Sequence, residues 1–313
     1  MRYATSYYGS QSKETMNVVT PFIEEKYVDI TSGGSSYPYQ LMYNKIHIGV
    51  NDRCYYSYLN SKIVFNTPSD QLILYKDVDN FDGYLSNKSG MEKYFSPKLA
   101  RYIDALCQTN DFTRALVGRV LVSKFTFRGF GWAKKMVNGR DTNQYTVEEF
   151  KKDLQRQEVR MKAFHDQIDQ KNCIDVTNLD ALQSLNILDI KDAVVYTDPA
   201  WPWTGNTAPN PYKFFTDDVS SILMQDDAPQ PIFWDAKSDE QIINEVVSWI
   251  QTALNKGAKY FILSTQSTNR PDPESMYAII NEKVHLHQYI VKDAWSFGSH
   301  KHFNEYFGVY SIC

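Results

Sequence analysis

An aspartate, a proline and an indole stand within four residues at Asp198-Pro199-Ala200-Trp201, and that spacing suits work on a flat, amine-bearing ring such as a nucleobase. A carboxylate accepts N–H hydrogen bonds, a carbonyl stiffened by proline accepts another, and an aromatic face stacks. Directly before them runs Ala193-Val194-Val195-Tyr196, a short apolar run that reads as a buried strand. The acid therefore sits at the carboxyl end of a core strand, where open α/β sheets bind ligands. Residues 196–203 also read as an acidic strand end followed by a proline-rich surface turn, and alone they leave both readings open.

A second stretch mixes cations with rings. Residues 124–140 hold five basic residues, four aromatics and no acid, including Lys124, Arg128, Lys134, Lys135 and Arg140. Such interleaving suits a loop that touches phosphates and stacks on bases; it equally suits an apolar turn between helices with solvated lysines. The four cysteines (Cys54, Cys107, Cys173 and Cys313) are far apart and form no CxxC pair. They point to neither a zinc site nor a disulfide framework, and they fit a reducing compartment. His285 with His287 and His300 with His302 each fall on one face of a strand. Without clustered cysteines or carboxylates they read as strand surface, and no metal site is expected.

The elements that must position these groups alternate strand with helix. Lys26–Ile30 reads as a strand, followed by the turn Ser32-Gly33-Gly34-Ser35-Ser36 and a helix through Leu41. Ile46–Val50 reads as a second strand that ends in Asn51-Asp52, and Tyr55–Phe65 as a helix. This is the usual opening of a doubly wound sheet. The pattern returns late in the chain: Ser238-Asp239-Glu240-Gln241 has the form of a capping box. Ile242, Val246, Trp249, Ile250 and Ala253 follow at helical spacing, with Gly257 as the stop and Tyr260–Leu263 as a buried strand. Strands near Leu286–Val291 and Tyr306–Ile312 close the chain, and the polar segment between them predicts an antiparallel pair. Between Pro68 and Lys171 no alternation is evident; 97–124 and 145–171 read as helices, the latter with an i,i+4 pair at Glu158 and Lys162.

At 313 residues, 42% hydrophobic and 22% charged, the chain can bury a substantial core. A net charge of −4 excludes a polycation, so any nucleic-acid contact must come from a local basic patch. No apolar stretch reaches membrane-spanning length and the first residues lack a signal-peptide core; a soluble, cytoplasmic protein is expected.

Taken in order, several segments resemble motifs of the Dam-type, α-class DNA adenine methyltransferases. Tyr7-Tyr8-Gly9-Ser10-Gln11 is similar to the family's N-terminal Tyr-x-Gly-x-Lys, and Asp29–Ser36 to its glycine turn Asp-x-Phe-x-Gly-x-Gly. Asn51-Asp52 stands where the family has an acid after the second strand, and Phe127-x-Gly129-x-Gly131 resembles a segment of its middle insert. Asp180 precedes Asp198 by eighteen residues, as the family's Asp-Phe precedes its Asp-Pro-Pro-Tyr. Tyr212–Phe215, Lys259–Asn269, and Lys301 with Asn304-Glu305-Tyr306 resemble its later segments.

The resemblance implies a Rossmann-like α/β fold: a mixed seven-stranded doubly wound sheet with an antiparallel C-terminal strand pair, plus a mainly helical inserted target-recognition domain. The catalytic domain would span 1–67 and 172–313, and the insert 68–171. It implies an S-adenosylmethionine (SAM)-dependent enzyme of a prokaryotic cell or its virus that methylates the N6 amine of a flipped-out adenine in double-stranded DNA. The cofactor would lie on Tyr8, Gly9, Gln11, Asp29, Ser32, Gly33, Gly34, Ser35, Asp52, Asp180 and Asp198. Asp198 and the Pro199 carbonyl would accept the amine and Trp201 would stack on the base. Lys124, Arg128, Lys134, Lys135 and Arg140 would meet DNA. The chain departs from the family at four positions: Gln11 for lysine, Thr31 for phenylalanine, Ser35 for glycine and Ala200 for proline. With Ser35 in place, Gly34 is expected to supply the permissive backbone of the turn. The departures frame an alternative, an impaired homologue that binds nucleic acid or a protein without catalysis. RNA or a modified nucleotide is another possible acceptor. A dinucleotide oxidoreductase is disfavoured, because the turn lacks Gly-x-Gly-x-x-Gly.

Overall fold

The computed structural model describes residues 13–41, 46–67, 75–82, 92, 95–125, 136–137, 140–141, 144–166, 174–202, 219, 223, 237–296 and 301–312. The chain is α/β and forms two compact units. A sheet unit takes the described residues of Gln11–Arg53, Lys171–Ala208 and Ile232–Cys313; a helical unit takes those of Cys54–Gln170 with Val219 and Leu223.

The sheet unit is built on one mixed sheet of seven strands: β1 (Lys26–Asp29), β2 (His47–Asn51), β3 (Ile174–Thr177), β4 (Val194–Thr197), β5 (Tyr260–Gln266), β6 (Leu286–Ser296) and β7 (Lys301–Tyr310). Their order is β3-β2-β1-β4-β5-β7-β6. The first five run parallel, and β7 lies antiparallel to both β5 and β6. Val28 pairs with Gly49 on one side and Val195 on the other. Central strands covered on both faces must be apolar throughout, and residues 194–197 of β4 are buried without exception. Alternation sends Val28 and Val195 to one face, into a cluster with Phe261, Leu263, Ile242, Val246, Ile250, Met276 and Leu185. Tyr27 and Tyr196 take the opposite face, where Tyr27 meets the edge of Tyr37 at 5.1 Å. The arrangement is compatible with a Rossmann-like fold.

Helices of this unit are α1 (Lys13–Val19), α2 (Ser36–Leu41), α7 (Ala181–Ile187), α8 (Asp239–Asn255) and α9 (Pro273–Asn281). The Ser238 hydroxyl accepts from the Gln241 N–H while the Gln241 side chain accepts from the Ser238 N–H, so two orphan donors at the start of α8 are satisfied at once. Gly257, at φ +90°, ends the helix, and its N–H caps the Leu254 carbonyl.

The helical unit comprises α3 (Tyr55–Asn66), α4 (Pro97–Cys107), α5 (Asp111–Phe125) and α6 (Val147–His165), plus a two-residue ladder of Met136–Val137 with Arg140–Asp141. The helical stretch expected over 97–124 is present as two helices. The Asn110 side chain accepts from the Thr113 N–H and starts α5 afresh, the ordinary effect of an N-cap asparagine. Within α5, a Cβ on Gly118 would come within 2.6 Å of the Tyr56 ring, which explains a glycine inside a helix by lack of room for anything larger.

Candidate functional site

The strand order reverses between β1 and β4: from β1 the chain builds outward to β2 and β3, then returns to add β4 and β5 on the other side. A crevice opens at such a switch point, beyond the carboxyl ends of the strands. Asp29 closes β1 there, fully buried, with its carboxylate accepting from the Tyr27 hydroxyl and the Thr31 N–H, both at 3.2 Å. Asp198 follows β4 and is half-buried. Its N–H donates to the Thr31 hydroxyl at 3.0 Å, and that hydroxyl also lies 3.0 Å from Thr197 Oγ1. Thr31 therefore ties the end of β1 to the start of the Asp198 loop. The third acid, Glu305 on β7, is buried and accepts from the Thr15 hydroxyl at 2.8 Å.

These acids act on one another. Burial first, then the negative charges of Glu305 and Asp29, holds the Asp198 carboxyl well above the ordinary carboxylate range, against a smaller opposing pull from Trp201. The Tyr196 hydroxyl is likewise driven upward, by burial and then by Asp198, Glu305 and Asp29.

The glycine turn leans on the end of β2. The Ser32 N–H donates to the Asn51 carbonyl at 2.9 Å, and the Gly33 N–H to Asp52 Oδ2 at 2.6 Å. Positive φ falls on Gly33 (52°) and on Ser35 (51°), not on Gly34. The expectation that Gly34 supplies the permissive backbone is thus corrected: Ser35 itself adopts the left-handed conformation, at a cost of about 1–2 kcal/mol for a residue with a Cβ. The reason is local closure, since the Ser35 N–H returns to the Ser32 carbonyl at 2.7 Å while its own carbonyl accepts from Tyr39 in α2.

Asn51 uses all of its side-chain capacity. Nδ2 donates to the carbonyls of Ile30 (3.0 Å) and Leu179 (3.1 Å), and Oδ1 accepts from Thr177 Oγ1 (2.8 Å) and the Leu179 N–H (3.0 Å). One amide therefore stitches together the carboxyl ends of β1, β2 and β3. Asp180 caps α7 through the Leu182 N–H at 3.0 Å and faces Arg53 at 3.6 Å.

The structure thus gathers Asp29, Ser32, Gly33, Gly34, Ser35, Asp52, Asp180, Asp198 and Pro199 at the carboxyl end of the sheet. It places Trp201 differently from the sequence reading, which assigned its face to a base. The indole is 3% exposed within the apolar cluster and donates from Nε1 to the Ser264 carbonyl at 2.9 Å. An aromatic beside a strand end fills the core more readily than it stands in solvent, so Trp201 anchors the Asp198 loop. The Pro199 carbonyl accepts from the Trp201 N–H at 2.8 Å and keeps a second lone pair. Tyr8, Gly9, Gln11, Arg128, Lys134 and Lys135 lie outside the described residues; Lys124 belongs to α5 and Arg140 to the short ladder.

Thr31, Asn51 and Glu305 are the residues whose roles the sequence concealed. Glu305 carried a usable signal, an acid opening the apolar run Tyr306-Phe307-Gly308-Val309. Three carboxylates at one strand-end crevice favour a cationic ligand and oppose a phosphate. Among the described residues no group of three or more His, Cys, Asp or Glu is arranged to hold a metal ion. In comparison with known proteins, no family model and no curated protein matches the chain.

Proposed function

We propose that the chain is a SAM-dependent methyltransferase acting on the N6 amine of adenine in DNA. The observation that carries the reading is Asp198 at the switch point, backed by the carboxylates of Asp29 and Glu305. SAM is a cation at its reacting sulfur, and the donor set fits it: acids gather at the strand ends, and the partly exposed Gly33 and Gly34 carry no side chain to hold a cofactor off the backbone. The mixed sheet with two antiparallel closing strands agrees with the fold that the motif resemblance implies, and the helical unit with an inserted target-recognition domain.

SAM would supply an electrophilic methyl group. Asp52, against the glycine turn, would accept from ribose hydroxyls, as an acid after the second strand does in nucleotide folds. Asp180 would accept from the amino group of the cofactor's adenine. Asp198 would accept one N–H of the target amine and the Pro199 carbonyl the other, turning the nitrogen lone pair out of the ring and toward the methyl. The work asked of the protein is orientation and electrostatics. Asp198 must be ionised to accept, and a bound cation next to it opposes the upward pull of Glu305 and Asp29. Thr31, through the Asp198 N–H, fixes the acid relative to the turn.

One observation favours the second reading, an impaired homologue that binds without catalysis: the buried Trp201 offers no open face to a base. Calorimetric titration with SAM, on the wild type and Asp52→Ala, separates the two. Saturable binding that weakens in the variant, followed by transfer to adenine-containing duplexes that Asp198→Ala abolishes, is the expected result. A folded protein that takes no SAM, or an active Asp198→Ala variant, overturns the assignment.

A further inference from the structure

The cations expected to meet DNA lie in 124–140, yet a different surface of the helical unit has the charge and spacing for a polyanion. On α6 the exposed residues include Lys152, Arg156 and Arg160, four residues apart, with Gln155, Val159 and Ala163 beside them. Four residues advance a helix by about 6 Å with little rotation, so the three cations form one stripe about 12 Å long. Of the acids of α6, Glu148 is exposed one turn before Lys152, at the N-terminal end of the stripe, and the other three are engaged elsewhere. Asp153 is buried and takes the Tyr145 hydroxyl, Glu158 pairs with Lys162 at 2.9 Å, and Glu149 accepts from Thr146. Lys151, next to the stripe, is held by Asp77 at 2.8 Å. Arg156 touches Asp153 at 3.1 Å yet remains 69% exposed. Among the described residues no ion pair involves Lys152 or Arg160.

Beneath the stripe lies a further positive charge. Arg119 of α5 is 3% exposed, and its described hydrogen-bond partners are neutral amides, Gln157 Oε1 at 3.3 Å and Asn60 Oδ1 at 3.5 Å. Gln157 sits on α6 between Arg156 and Arg160. Burial presses the Arg119 guanidinium below its ordinary value, Tyr56 acts the other way, and the nearby Arg160 adds a smaller downward push. A buried charge on amide partners alone is costly, and it adds to the field of the exposed stripe. In a chain of net charge −4, this is a deliberate local excess.

We infer that the Lys152–Arg156–Arg160 face of α6 binds the phosphate backbone of duplex DNA. The inference rests on the reading of the chain as a DNA-acting enzyme and adds a second contact to it. A duplex strand presents a phosphate every 3.4 Å of axis, so a 12 Å row of cations matches about three or four of them. An anionic membrane fits less well, because among the described side chains of α6 Val159 is the one large apolar group exposed beside the stripe, and interfacial helices need a broad apolar face. Backbone contacts of this kind add affinity without sequence preference.

The test is the salt dependence of binding to a short labelled duplex, followed by fluorescence anisotropy. Wild type is compared with the triple variant Lys152→Gln/Arg156→Gln/Arg160→Gln and with a charge-matched control, Lys76→Gln/Lys98→Gln/Lys292→Gln, which neutralises exposed cations elsewhere. The expected result is a slope of log K against log salt that falls by roughly two to three in the triple variant and by less than about one in the control. Equal falls in both variants, or no fall in the triple variant, overturn the inference. So does a wild type that ignores the duplex and binds phosphatidylserine vesicles. SAM titration of the triple variant keeps the two proposals apart: unchanged cofactor binding with an unchanged salt slope sinks the α6 surface alone, whereas loss of SAM binding in the wild type sinks the methyltransferase reading.

Discussion

In the sheet unit the carboxylates turn inward: Asp29 and Asp198 stand at the ends of β1 and β4, Glu305 of antiparallel β7 pairs with Gln266 at the end of β5, and Glu305 and Asp29 raise the proton affinity of Asp198. In the helical unit the cations of α6 turn outward at helical spacing, with Arg119 buried behind them. Elsewhere charges of opposite sign meet in ion pairs, such as Lys162 with Glu158 and Lys26 with Asp189. Like charges gathered in one place cost stability, so their retention at two places, with opposite signs, suits ligands of opposite charge. A cationic cofactor suits the first and a polyanionic backbone the second.

The largest expected effect comes from removing the acid at the centre of the inward cluster. Asp198→Asn should lower methyl transfer by about 10²–10³-fold or more, the scale seen when an enzyme loses a preorganised electrostatic contact. The same change should raise the melting temperature at neutral pH. The sign follows from the raised carboxyl: the native state holds the proton more tightly than the unfolded chain, so stability is greatest below the unfolded value near pH 4 and declines as pH climbs through the folded one. Asparagine imitates the protonated acid and escapes that decline, so the two proteins should melt alike in acid and diverge at pH 7. A lower melting temperature at pH 7 would break the comparison.

Glu305→Gln sharpens it. Losing one negative neighbour lowers the proton affinity of Asp198, so the acidic limb of the rate profile should move to lower pH. A profile that stays put would detach Glu305 from the site. Thr31→Val removes the hydroxyl that accepts the Asp198 N–H and should cost about 1 kcal/mol of stability. It should also reduce turnover more than SAM affinity, with Thr31→Ser restoring both. Smallest is Ser35→Gly, expected to relieve left-handed strain and to stabilise the fold by up to about 1 kcal/mol, measured by denaturant midpoint.

The inward half of the comparison was partly legible before any coordinates. Apolar runs at 26–30, 46–50, 193–196 and 260–263 marked the parallel strands, and the acids ending two of them marked the crevice. The edge strand Ile174–Thr177 escaped notice, because only Ile174 is fully buried and Asp175 and Thr177 break its apolar character. The short helices α7 and α9 hid for a related reason: seven and nine residues hold too few turns for a period to stand out. The helical character read over 97–124 holds, and the break inside it rests on a cap at Asn110 that starts a second helix.

What the sequence alone determined is whatever acts over a few residues: the capping box at Ser238, the stop at Gly257, the i,i+4 pair of Glu158 and Lys162, and the acid that follows β4. The tertiary structure decided which distant groups meet. Asp198 takes its charge environment from residue 29 and residue 305, Asn51 joins three strand ends, and Trp201 packs in the core. Coulomb energy and hydrogen bonding depend on separation in space. The order of strands in the sheet sets that separation, and the spacing of residues along the chain does not.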